Sequence, residues 1–316
     1  MGVGVADQPA VVRQLRLEAD GVVSVSLTRP DGLPWPAWAP GAHVDIVLPT
    51  GITRQYSLCG SPDDRDTYRI AVRRQVRSRG GSEYVHAFLR PGQNLAIRGP
   101  RNNFPLREHD RYLFIAGGIG ITPILAMVRE TAERGKPWRL LYAGSSAAGM
   151  AFTGELAELG GVVECYVSDR CGRIPLDDLL SEPRVGTGVY ACGPETLLTA
   201  IAERMTHWPP GALHIERFAS RPKPTRPDTE FDVRCARSAK TVTVPPGQSI
   251  LDALVGAGVP VTASCREGLC GTCETAVLDG TPDHRDDILD ERERAANDRM
   301  FICVSRAVGP RLELDI

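Results

Sequence analysis

The sequence predicts a multidomain chain in which a β-barrel is followed by a parallel α/β domain and then by a smaller α+β domain. Three observations point to this order. Short β-type runs broken by Gly and Pro fill the first 107 residues, strand and helix patterns alternate from Arg111, and a cysteine cluster follows a proline-rich stretch. A chain of 316 residues suits two or three domains at about 150 residues each, and each can bury its own core.

The first domain, residues 1–107, is predicted from β-type runs separated by turn-forming residues. Regularly spaced short strands of this kind favour a barrel. The clearest runs are Gly21–Leu27, His43–Leu48 and Tyr68–Arg73, with turn clusters at Pro30–Gly32 and Pro49–Gly51.

The second domain, residues 108–220, is predicted from apolar runs that alternate with helical patterns. This alternation is typical of a parallel sheet, whose ligand crevice lies at the carboxyl ends of the strands. The expected strands are Tyr112–Ala116, Trp138–Ala143, Val162–Val167 and Gly188–Ala191, and the expected helices are Pro123–Arg134, Thr153–Leu159 and Pro194–Met205.

The third domain, residues 230–316, follows a segment whose composition is typical of a linker. Between Ala219 and Thr229 there are three prolines and no apolar residue larger than Ala, which predicts an extended, semi-rigid linker at 221–229. The domain itself begins with a hairpin-like pattern over Phe231–Val244 and a helical pattern over Ser249–Ala257.

Composition and charge exclude several classes of protein. The 37 Lys+Arg nearly balance the 39 Asp+Glu, which argues against a general nucleic-acid binder. The cysteines number nine, and three of them crowd into Cys265–Cys273. An odd, clustered set suits metal or redox chemistry in a reducing compartment better than a disulfide framework.

The N-terminus predicts no targeting or membrane segment. Met1–Ala10 has no basic start followed by an apolar block, and Ala6 stands where a myristoylation signal requires Ser or Thr. The uncharged run Tyr112–Val128 is interrupted by glycines and a proline, so a buried strand, turn and helix start explains it better than a membrane span. We expect a cytoplasmic protein.

Four cysteines carry the strongest chemical signal. The spacing Cys265-x4-Cys270-x2-Cys273, with Cys303 29 residues further on, is that of a plant-type two-iron, two-sulfur cluster. Gly268 would let the backbone wrap close to the sulfurs, as would Gly271. A zinc site is the alternative, although structural zinc usually pairs C-x2-C with a second C-x2-C or with histidines.

The other cysteines lack ligand spacing and are expected to be packing residues, with Cys192 as the exception; they are Cys59, Cys165, Cys171, Cys192 and Cys235.

Two motifs in the first domain have the chemistry of a flavin site. In Arg54-Gln-Tyr56-Ser57-Leu, the Arg54 guanidinium can hold a phosphate and the Tyr56 ring offers an aromatic face. The Ser57 hydroxyl can hydrogen-bond a flavin nitrogen. About twenty residues later, Arg79-Gly-Gly-Ser82 offers unhindered backbone N–H groups ahead of an expected helix at Ser82–Leu89. Each motif alone could be an ordinary strand and an ordinary glycine loop. Together they resemble the R-x-Y-S-L and G-G-S pair of the ferredoxin reductase superfamily of flavoproteins.

Two turns in the second domain resemble the nucleotide-binding turns of the same superfamily. Gly117-Gly118-Ile-Gly120-Ile-Thr122-Pro follows a strand and opens a helix, so pyrophosphate could approach bare backbone there. It departs from the G-x-G-x-x-G fingerprint because Pro123 stands in place of the third glycine. The second turn is Cys192-Gly193-Pro194; the resemblance places its cysteine near the nicotinamide, against the plainer interpretation of a buried thiol.

The end of the second domain resembles a third segment of that superfamily. His214-Ile-Glu216-Arg-Phe218 matches the H-x-E-x-F segment with which relatives close the flavin site, where an aromatic ring shields the flavin until nicotinamide displaces it. The alternative is that Phe218 is a core residue.

The order of these motifs along nearly the whole chain resembles the phthalate dioxygenase reductase and vanillate O-demethylase reductase family. The resemblance implies an FMN-binding β-barrel, a nicotinamide-nucleotide domain and a β-grasp plant-type ferredoxin domain. It also implies an oxidoreductase in which FMN takes two electrons from NAD(P)H and a 2Fe-2S cluster passes them singly to a separate terminal oxygenase. FMN fits because no extra segment for an adenine follows the glycine loop.

The acceptor has to be another protein. No cysteine is followed two positions later by a histidine, and the six histidines show no metal-pair spacing, so the chain lacks a Rieske site of its own. We expect a Rieske oxygenase or O-demethylase, or a haem monooxygenase, as partner, and a monomer with no nucleic-acid or membrane partner. The alternatives are a redox-sensing flavin and iron–sulfur module, or a reductase of a free ferredoxin.

The coenzyme is expected to be NADH. Ala143-Gly-Ser-Ser146 lacks the arginine common after the second strand of relatives, and Asp169 can accept from ribose hydroxyls. Arg170 and Arg173 lie close in sequence and could instead contact the 2′-phosphate of NADPH, which is the less favoured choice.

Together these interpretations give a set of predicted site residues. The predicted catalytic residues are Ser57, Cys192, Glu216 and Phe218. The predicted cofactor-binding residues are Arg54, Gln55, Tyr56, Ser57, Val72, Arg73, Arg79, Gly80, Gly81, Ser82, Gly117, Gly118, Gly120, Thr122, Asp169, Cys192, Gly193, Pro194 and Phe218. The predicted cluster ligands are Cys265, Cys270, Cys273 and Cys303.

Overall fold

The chain forms two compact units, Val3–Arg217 and Phe218–Ile316. They are seen in a computed structural model that describes residues 7–75, 80–170, 172–221 and 226–316. The first unit contains an antiparallel sheet and a parallel sheet, and the second contains a mixed sheet.

The antiparallel sheet of the first unit has six strands. They are β1 (Gln8–Ala19), β2 (Val22–Thr28), β3 (Ala42–Val47), β4 (Thr53–Ser57), β5 (Tyr68–Arg73) and β6 (Asn94–Asn102), and helix α1 (Gly81–Ala87) lies between β5 and β6 in the chain. The strand order is β4-β3-β6-β1-β2-β5. Leu58, just past β4, bridges to Ile70 of β5. The two edge strands therefore meet, as a barrel requires.

The barrel interior is apolar because alternate residues of each strand point inward. On β3, Val44 and Ile46 belong to this core, and the intervening residues face the other way. Trp35 is fully buried and stacks on Tyr68 with ring centroids 4.6 Å apart.

The parallel sheet of the first unit has five strands and four flanking helices. The strands are β7 (Arg111–Gly117), β8 (Trp138–Gly144), β9 (Val162–Val167), β10 (Thr187–Cys192) and β11 (Leu213–Glu216). The helices are α2 (Ile121–Glu133), α3 (Thr153–Ala157), α4 (Leu176–Leu180) and α5 (Glu195–Arg204). The strand order is β11-β10-β7-β8-β9. The chain therefore builds the sheet outward from β7 in one direction and then from β10 in the other, and the switch point lies between these two strands. Ligands of such sheets bind at the carboxyl ends of the strands at this switch point.

Both faces of the parallel sheet are buried, which explains the apolar runs in the sequence. On β7, Tyr112 and Phe114 join the core that includes α2, while Leu113 and Ile115 join the core that includes α4 and α5. The uncharged run Tyr112–Val128 is thus a strand, a turn and a helix start. Within the described ranges, no helix combines the length and the apolar character that crossing a bilayer requires.

The second unit has a five-stranded mixed sheet and a separate pair of short strands. Its elements are β12 (Phe231–Cys235), β13 (Lys240–Val244), α6 (Ile250–Gly256), β14 (Glu274–Asp279), β15 (Pro282–Asp283), α7 (Glu291–Ala296), β16 (Arg299–Phe301), β17 (Arg306–Ala307) and β18 (Arg311–Leu314). The sheet order is β13-β12-β18-β14-β16, with β12 and β18 parallel. The β12–β13 hairpin and α6 confirm the predicted patterns.

Several elements carried too weak a pattern to be predicted. Strand β1 buries few of its side chains, and α7 buries none. Strands β14 to β18 are short, and each depends on a partner distant in sequence. The expectation that Cys165 is a packing residue is wrong, because it lies exposed on β9. Cys59 and Cys235 are fully buried as expected, and Cys171 lies outside the described residues.

The described ends of the predicted linker are hydrogen-bonded within the second unit. Arg221 donates from its backbone and its side chain to Asp287, at 3.1 and 2.9 Å. Asp228 pairs with Arg285 at 2.9 Å and accepts from the backbone N–H of Gly247 at 3.0 Å. These contacts hold the two ends of the segment to the body of that unit.

Candidate functional site

Strand β4 carries the first of the two predicted flavin motifs. Because side chains alternate along a strand, Arg54 and Tyr56 share one face, and Gln55 and Ser57 share the other. Tyr56 packs against the barrel core, and burial raises the pKa of its hydroxyl to about 12. Ser57 is buried, and Arg54 donates to the carbonyl of Thr53 at 2.8 Å.

The glycine motif lies directly against Arg54 although it is some 25 residues away in sequence. A Cβ at Gly81 would stand 2.6 Å from Arg54 Cγ, so only glycine permits this approach. Gly80 has a φ of +89°, which also favours glycine. Ser82 accepts a hydrogen bond from the backbone N–H of Gln75 at 3.1 Å.

Two further predicted flavin residues, Val72 and Arg73, lie at the end of β5. Val72 accepts a hydrogen bond from His86 of α1 at 2.9 Å. A Cβ at Gly118 would stand 3.0 Å from Arg73 Nη1, so the end of β5 reaches the first nucleotide turn. Arg79 lies outside the described residues.

The two predicted nucleotide turns pack backbone to backbone at the switch point of the parallel sheet. A Cβ at Gly120 would stand 2.3 Å from Cys192 O and 2.8 Å from Gly193 N. A Cβ at Gly117 would stand 2.6 Å from Pro194 Cδ, and one at Gly193 would stand 3.0 Å from Gly117 Cα. The glycines therefore serve two purposes: they let the turns approach each other and leave backbone unshielded by side chains.

Helix α2 begins directly after the first turn, and Thr122 and Pro123 lie at its start. Pro123 lies in the first turn of α2, as predicted, because its missing N–H has no partner to lose there. Thr122 is buried, and its hydroxyl donates to the carbonyl of Ile119 at 3.0 Å. That bond stabilises the turn itself, so a direct contact of Thr122 with a cofactor stays a prediction.

Cys192 and Glu216 become neighbours through strand pairing. They end β10 and β11 and lie opposite each other in the parallel register. Burial, and then the nearby Glu216, raise the pKa of the Cys192 thiol well above its ordinary value. Burial raises the pKa of Glu216 to about 8, and its buried Oε2 has no hydrogen-bond partner among the described residues. Both shifts favour the uncharged forms, a neutral thiol beside a protonated carboxyl group.

The predicted residue Phe218 begins the second unit, and 44% of its surface is exposed. An exposed ring of this size is not a core residue. Its predicted role in covering a flavin stays a prediction.

The residues expected to choose between the two coenzymes lie at the carboxyl edge of the sheet. Asp169, Arg170 and Arg173 are all exposed and follow β9. Ser168 donates to the carbonyl of Gly144 at 3.2 Å, which holds this loop against the end of β8. A carboxylate and two cations are therefore available at the same edge.

The four predicted cluster ligands converge in the second unit. Cys270, Cys273 and Cys303 are buried, and Cys265 is half-buried. Cys265 interacts with both Cys270 and Cys303, and its interaction with Cys270 is the first cause of the raised pKa of the Cys270 thiol. Four neighbouring thiols of this kind could bind metal ions, and they would release their protons on doing so.

The loop around the cysteines offers N–H groups to sulfur. Glu267 and Leu269 donate to Cys265 Sγ at 3.3 and 3.5 Å, and Thr272 donates to Cys270 Sγ at 3.4 Å. Gly268 and Gly271 have φ values of +69° and +78°. Backbone N–H groups aimed at sulfur and four thiolate ligands fit an iron–sulfur cluster.

Sequence reasoning missed a buried polar group on the outward face of the barrel. His43 and Asp45 of β3 are buried, and Asp45 pairs with Arg101 of β6 at 2.7 Å. The one available signal was the alternation of polar and apolar residues in Ala42–Val47. It marked the two faces of the strand but not that the polar face would be buried.

Comparison with known proteins places these observations in context. The family described as a 2Fe-2S iron–sulfur cluster binding domain matches residues 233–308. Along almost its full length, the chain is similar to the vanillate O-demethylase oxidoreductase of a Pseudomonas species. The two are 38% identical, over 97% of this chain and 99% of that protein.

Some solved structures resemble this chain over 98% of its length. One is phthalate dioxygenase reductase, described as a modular structure for electron transfer from pyridine nucleotides to [2Fe-2S]. It is 34% identical with a TM-score of 0.72, and the match covers 98% of each chain. Another is an intact type IV self-sufficient cytochrome P450 monooxygenase, 42% identical with a TM-score of 0.92. The match covers 98% of this chain but only 41% of that longer one.

Proposed function

Because the chain belongs to the phthalate dioxygenase reductase and vanillate O-demethylase reductase family, we propose that it carries electrons from NADH through FMN and a 2Fe-2S cluster to a separate terminal oxygenase. The predicted family, the three-part fold and the function as an oxygenase reductase component are confirmed. The proposed parts are FMN rather than FAD, NADH rather than NADPH, the domain boundaries, the monomeric state and the role of each site residue.

The observation that carries the proposal is a set of three glycine contacts that link the predicted flavin and nucleotide motifs. Gly81 contacts Arg54, Gly118 contacts Arg73, and Gly120 lies against the Cys192 turn. Motifs that the sequence separates by more than a hundred residues thus lie in one compact unit, in which the end of β5 reaches the first nucleotide turn. A flavin bound there would supply the conversion of a two-electron donor into single-electron transfers.

The residues of this chain then hold and orient the cofactors. Arg54 and the N–H groups at Gly80 and Gly81 bind the flavin phosphate, and Tyr56 offers its ring face to the flavin. Ser57 places a hydroxyl at the redox-active ring nitrogen. Cys192 and Glu216 would hold the nicotinamide, and the protonated Glu216, whose Oε2 has no hydrogen-bond partner among the described residues, could donate to a carboxamide oxygen.

The experiment that tests this is extraction of the cofactors from the purified protein. Acid release followed by chromatography should give FMN at one equivalent per chain, with two irons and two acid-labile sulfides. FAD in place of FMN, or zinc in place of iron, would contradict the proposal.

A haem monooxygenase is the second candidate for the acceptor. The similarity to the cytochrome P450 chain, at a TM-score of 0.92, favours it specifically. NADH-dependent reduction of a purified Rieske oxygenase and of a purified cytochrome P450, measured side by side, separates the two. Reduction of neither, with fast reduction of a free ferredoxin, would favour the ferredoxin reductase alternative.

A further inference from the structure

Five buried polar atoms without a hydrogen-bond partner gather on the outward face of strands β3, β4 and β6. Among the described residues they are His43 Nε2, Asp45 Oδ1, Gln55 Nε2, and Nε and Nη1 of Arg101. His43 is 2% exposed and Asp45 is fully buried. The single ion pair in the group, between Asp45 and Arg101, uses other atoms of those residues. Polar atoms are rarely left unpaired in a buried position, so such a group requires an explanation.

The strand register places His43 directly beside Ser57. These two residues are opposite each other in the antiparallel β3–β4 pair, as are Asp45 and Gln55. Leu58 N donates to Ala42 O at 2.8 Å. His43 and Ser57 therefore form a non-hydrogen-bonded pair, in which Cα atoms are only about 4.5 Å apart and side chains lie closest.

The His43 ring is a neutral hydrogen-bonding group. Burial, and then the neighbouring Arg101, lower its pKa to about 3. A neutral imidazole has one nitrogen that can accept a hydrogen bond. With Nε2 unpartnered, that capacity is available on the side of β3 that Ser57 shares.

Ser57 needs such an acceptor if it faces the flavin nitrogen, as the proposed function holds. When the flavin is oxidised, Ser57 donates its hydroxyl hydrogen to the bare ring nitrogen. When the flavin is reduced, that nitrogen carries a hydrogen, so Ser57 has to accept. Its own hydroxyl hydrogen then requires a new acceptor, because unpaired buried donors are unfavourable.

We propose that His43 is a positioning residue that accepts the Ser57 hydroxyl hydrogen in the reduced state of the protein. No covalent bond changes in this step; one hydrogen bond turns from the flavin nitrogen to His43 Nε2. His43 thereby stabilises the reduced state and leaves the oxidised state unaffected. The inference rests on the proposed placement of Ser57 at the flavin.

The test compares two substitutions at this position in the holoprotein. His43→Leu removes the acceptor at similar volume, and His43→Gln keeps one. The readout is the equilibrium ratio of reduced to oxidised flavin against a reference dye under anaerobic conditions. One hydrogen bond of about 1 kcal/mol corresponds to about fivefold, so we expect His43→Leu to lower the ratio about fivefold and His43→Gln to restore most of it.

Two controls separate this effect from general damage. The ratio of reduced to oxidised iron–sulfur cluster, followed by electron paramagnetic resonance in the same sample, should not change. His284→Leu alters another buried histidine, whose two ring nitrogens lack hydrogen-bond partners among the described residues and whose Nδ1 lies 3.8 Å from Asp286 Oδ1. It lies in the other unit and should leave the flavin ratio as in the wild type. An equal shift in His284→Leu would overturn the proposal.

A double-substitution cycle distinguishes failure of this inference from failure of the proposed site. In a Ser57→Ala background, His43→Leu should have no further effect on the flavin ratio. If Ser57→Ala shifts the ratio and His43→Leu does not, or if the two effects add, the role of His43 is wrong. If Ser57→Ala leaves the ratio unchanged, the placement of Ser57 at the flavin is wrong as well.

A spectroscopic measurement covers the case in which the His43 variants do not fold. In protein labelled with ¹⁵N-histidine, one neutral histidine should change its Nε2 shift on reduction in the wild type and not in Ser57→Ala. Absence of any such difference would overturn the proposal.

Discussion

At the scale of single residues, the position of Glu216 in the fold raises the pKa of its carboxyl group. An exposed glutamate ionises near its ordinary pKa of 4.5, whereas burial raises the pKa of Glu216 to about 8. Between these two values the folded protein holds a proton that the unfolded chain has lost. Stability therefore falls as the pH rises through this window. Below about pH 4.5 both states are protonated, and the group contributes no slope.

The first prediction is that Glu216→Gln flattens the pH dependence of stability. Glutamine stays neutral at every pH, so the variant loses less stability than the wild type between pH 5 and pH 8. The measurement is the temperature at which the protein unfolds and releases its flavin, seen as a rise in flavin fluorescence and recorded across this pH range. A difference of 1 kcal/mol corresponds to about 2–4 °C in a unit of this size.

The control for this prediction is Glu203→Gln, the same change on the exposed face of α5. Its temperature curve should run parallel to that of the wild type. Parallel curves for Glu216→Gln would show that Glu216 is ionised in the folded protein throughout this range.

At the scale of elements, the two glycine turns decide whether β7 and β10 can be neighbours at their carboxyl ends. Both contacts at Gly120 are to backbone atoms, the Cys192 carbonyl and the Gly193 nitrogen. Backbone cannot rotate away as a flexible side chain can. A single added methyl group must therefore push the two turns apart.

The second prediction is that Gly120→Ala impairs nicotinamide binding far more than flavin binding. Overpacking of this kind costs about 1–3 kcal/mol, and the displaced turn weakens the backbone contacts to pyrophosphate. We expect the apparent affinity for NADH to fall by about tenfold or more, with FMN still bound. Steady-state ferricyanide reduction at varied NADH concentration measures this.

Gly154→Ala is the matched control in the same part of the chain. Gly154 lies in α3 with nothing within 4 Å of its missing Cβ. Alanine is favoured over glycine in a helix by about 0.5–1 kcal/mol, so this variant should be as active as the wild type and slightly more stable. Equal losses in both variants would mean that turn packing does not limit nucleotide binding.

At the scale of the whole molecule, the redox groups divide between the two compact units. Both flavin motifs and both nucleotide turns lie in Val3–Arg217, and all four cluster ligands lie in Phe218–Ile316. Each unit has hydrophobic cores built from its own residues. The chain should therefore separate into two halves of its electron-transfer path.

The third prediction is that a chain ending at Arg221 oxidises NADH without serving the oxygenase. It should bind FMN and reduce ferricyanide at a rate close to that of the full chain. It should fail to reduce cytochrome c or the cognate oxygenase, because the cluster is missing. Both rates are measured in parallel with the full chain.

Cys270→Ser in the full chain is the matching test, since losing one thiolate opens the cluster site without touching the flavin. It should reproduce the behaviour of the shortened chain. If the shortened chain reduced the oxygenase as fast as the full protein, the path through the cluster would be wrong.

The sequence by itself determined the features that depend on near neighbours in the chain. The spacing from Cys265 to Cys273 is a local pattern, and the glycines after β7 mark a turn whatever surrounds it. The runs Tyr112–Ala116 of β7 and Gly188–Ala191 of β10 have no charged residue because both faces are buried, which is visible without a partner strand. Even the unpredicted α7 carried a readable start, since Asp290 and Glu293 form a capping box.

Only the tertiary structure decided which of these local features meet. Strand pairing set Glu216 beside Cys192 and His43 beside Ser57, and chain packing brought Gly81 onto Arg54. Register is a long-range property: a slip of one residue would turn His43 away from Ser57 and exchange the polar face of β3 with its core face. The burial that keeps Glu216 protonated and His43 neutral comes from segments distant in the chain. No local pattern in the sequence could show it.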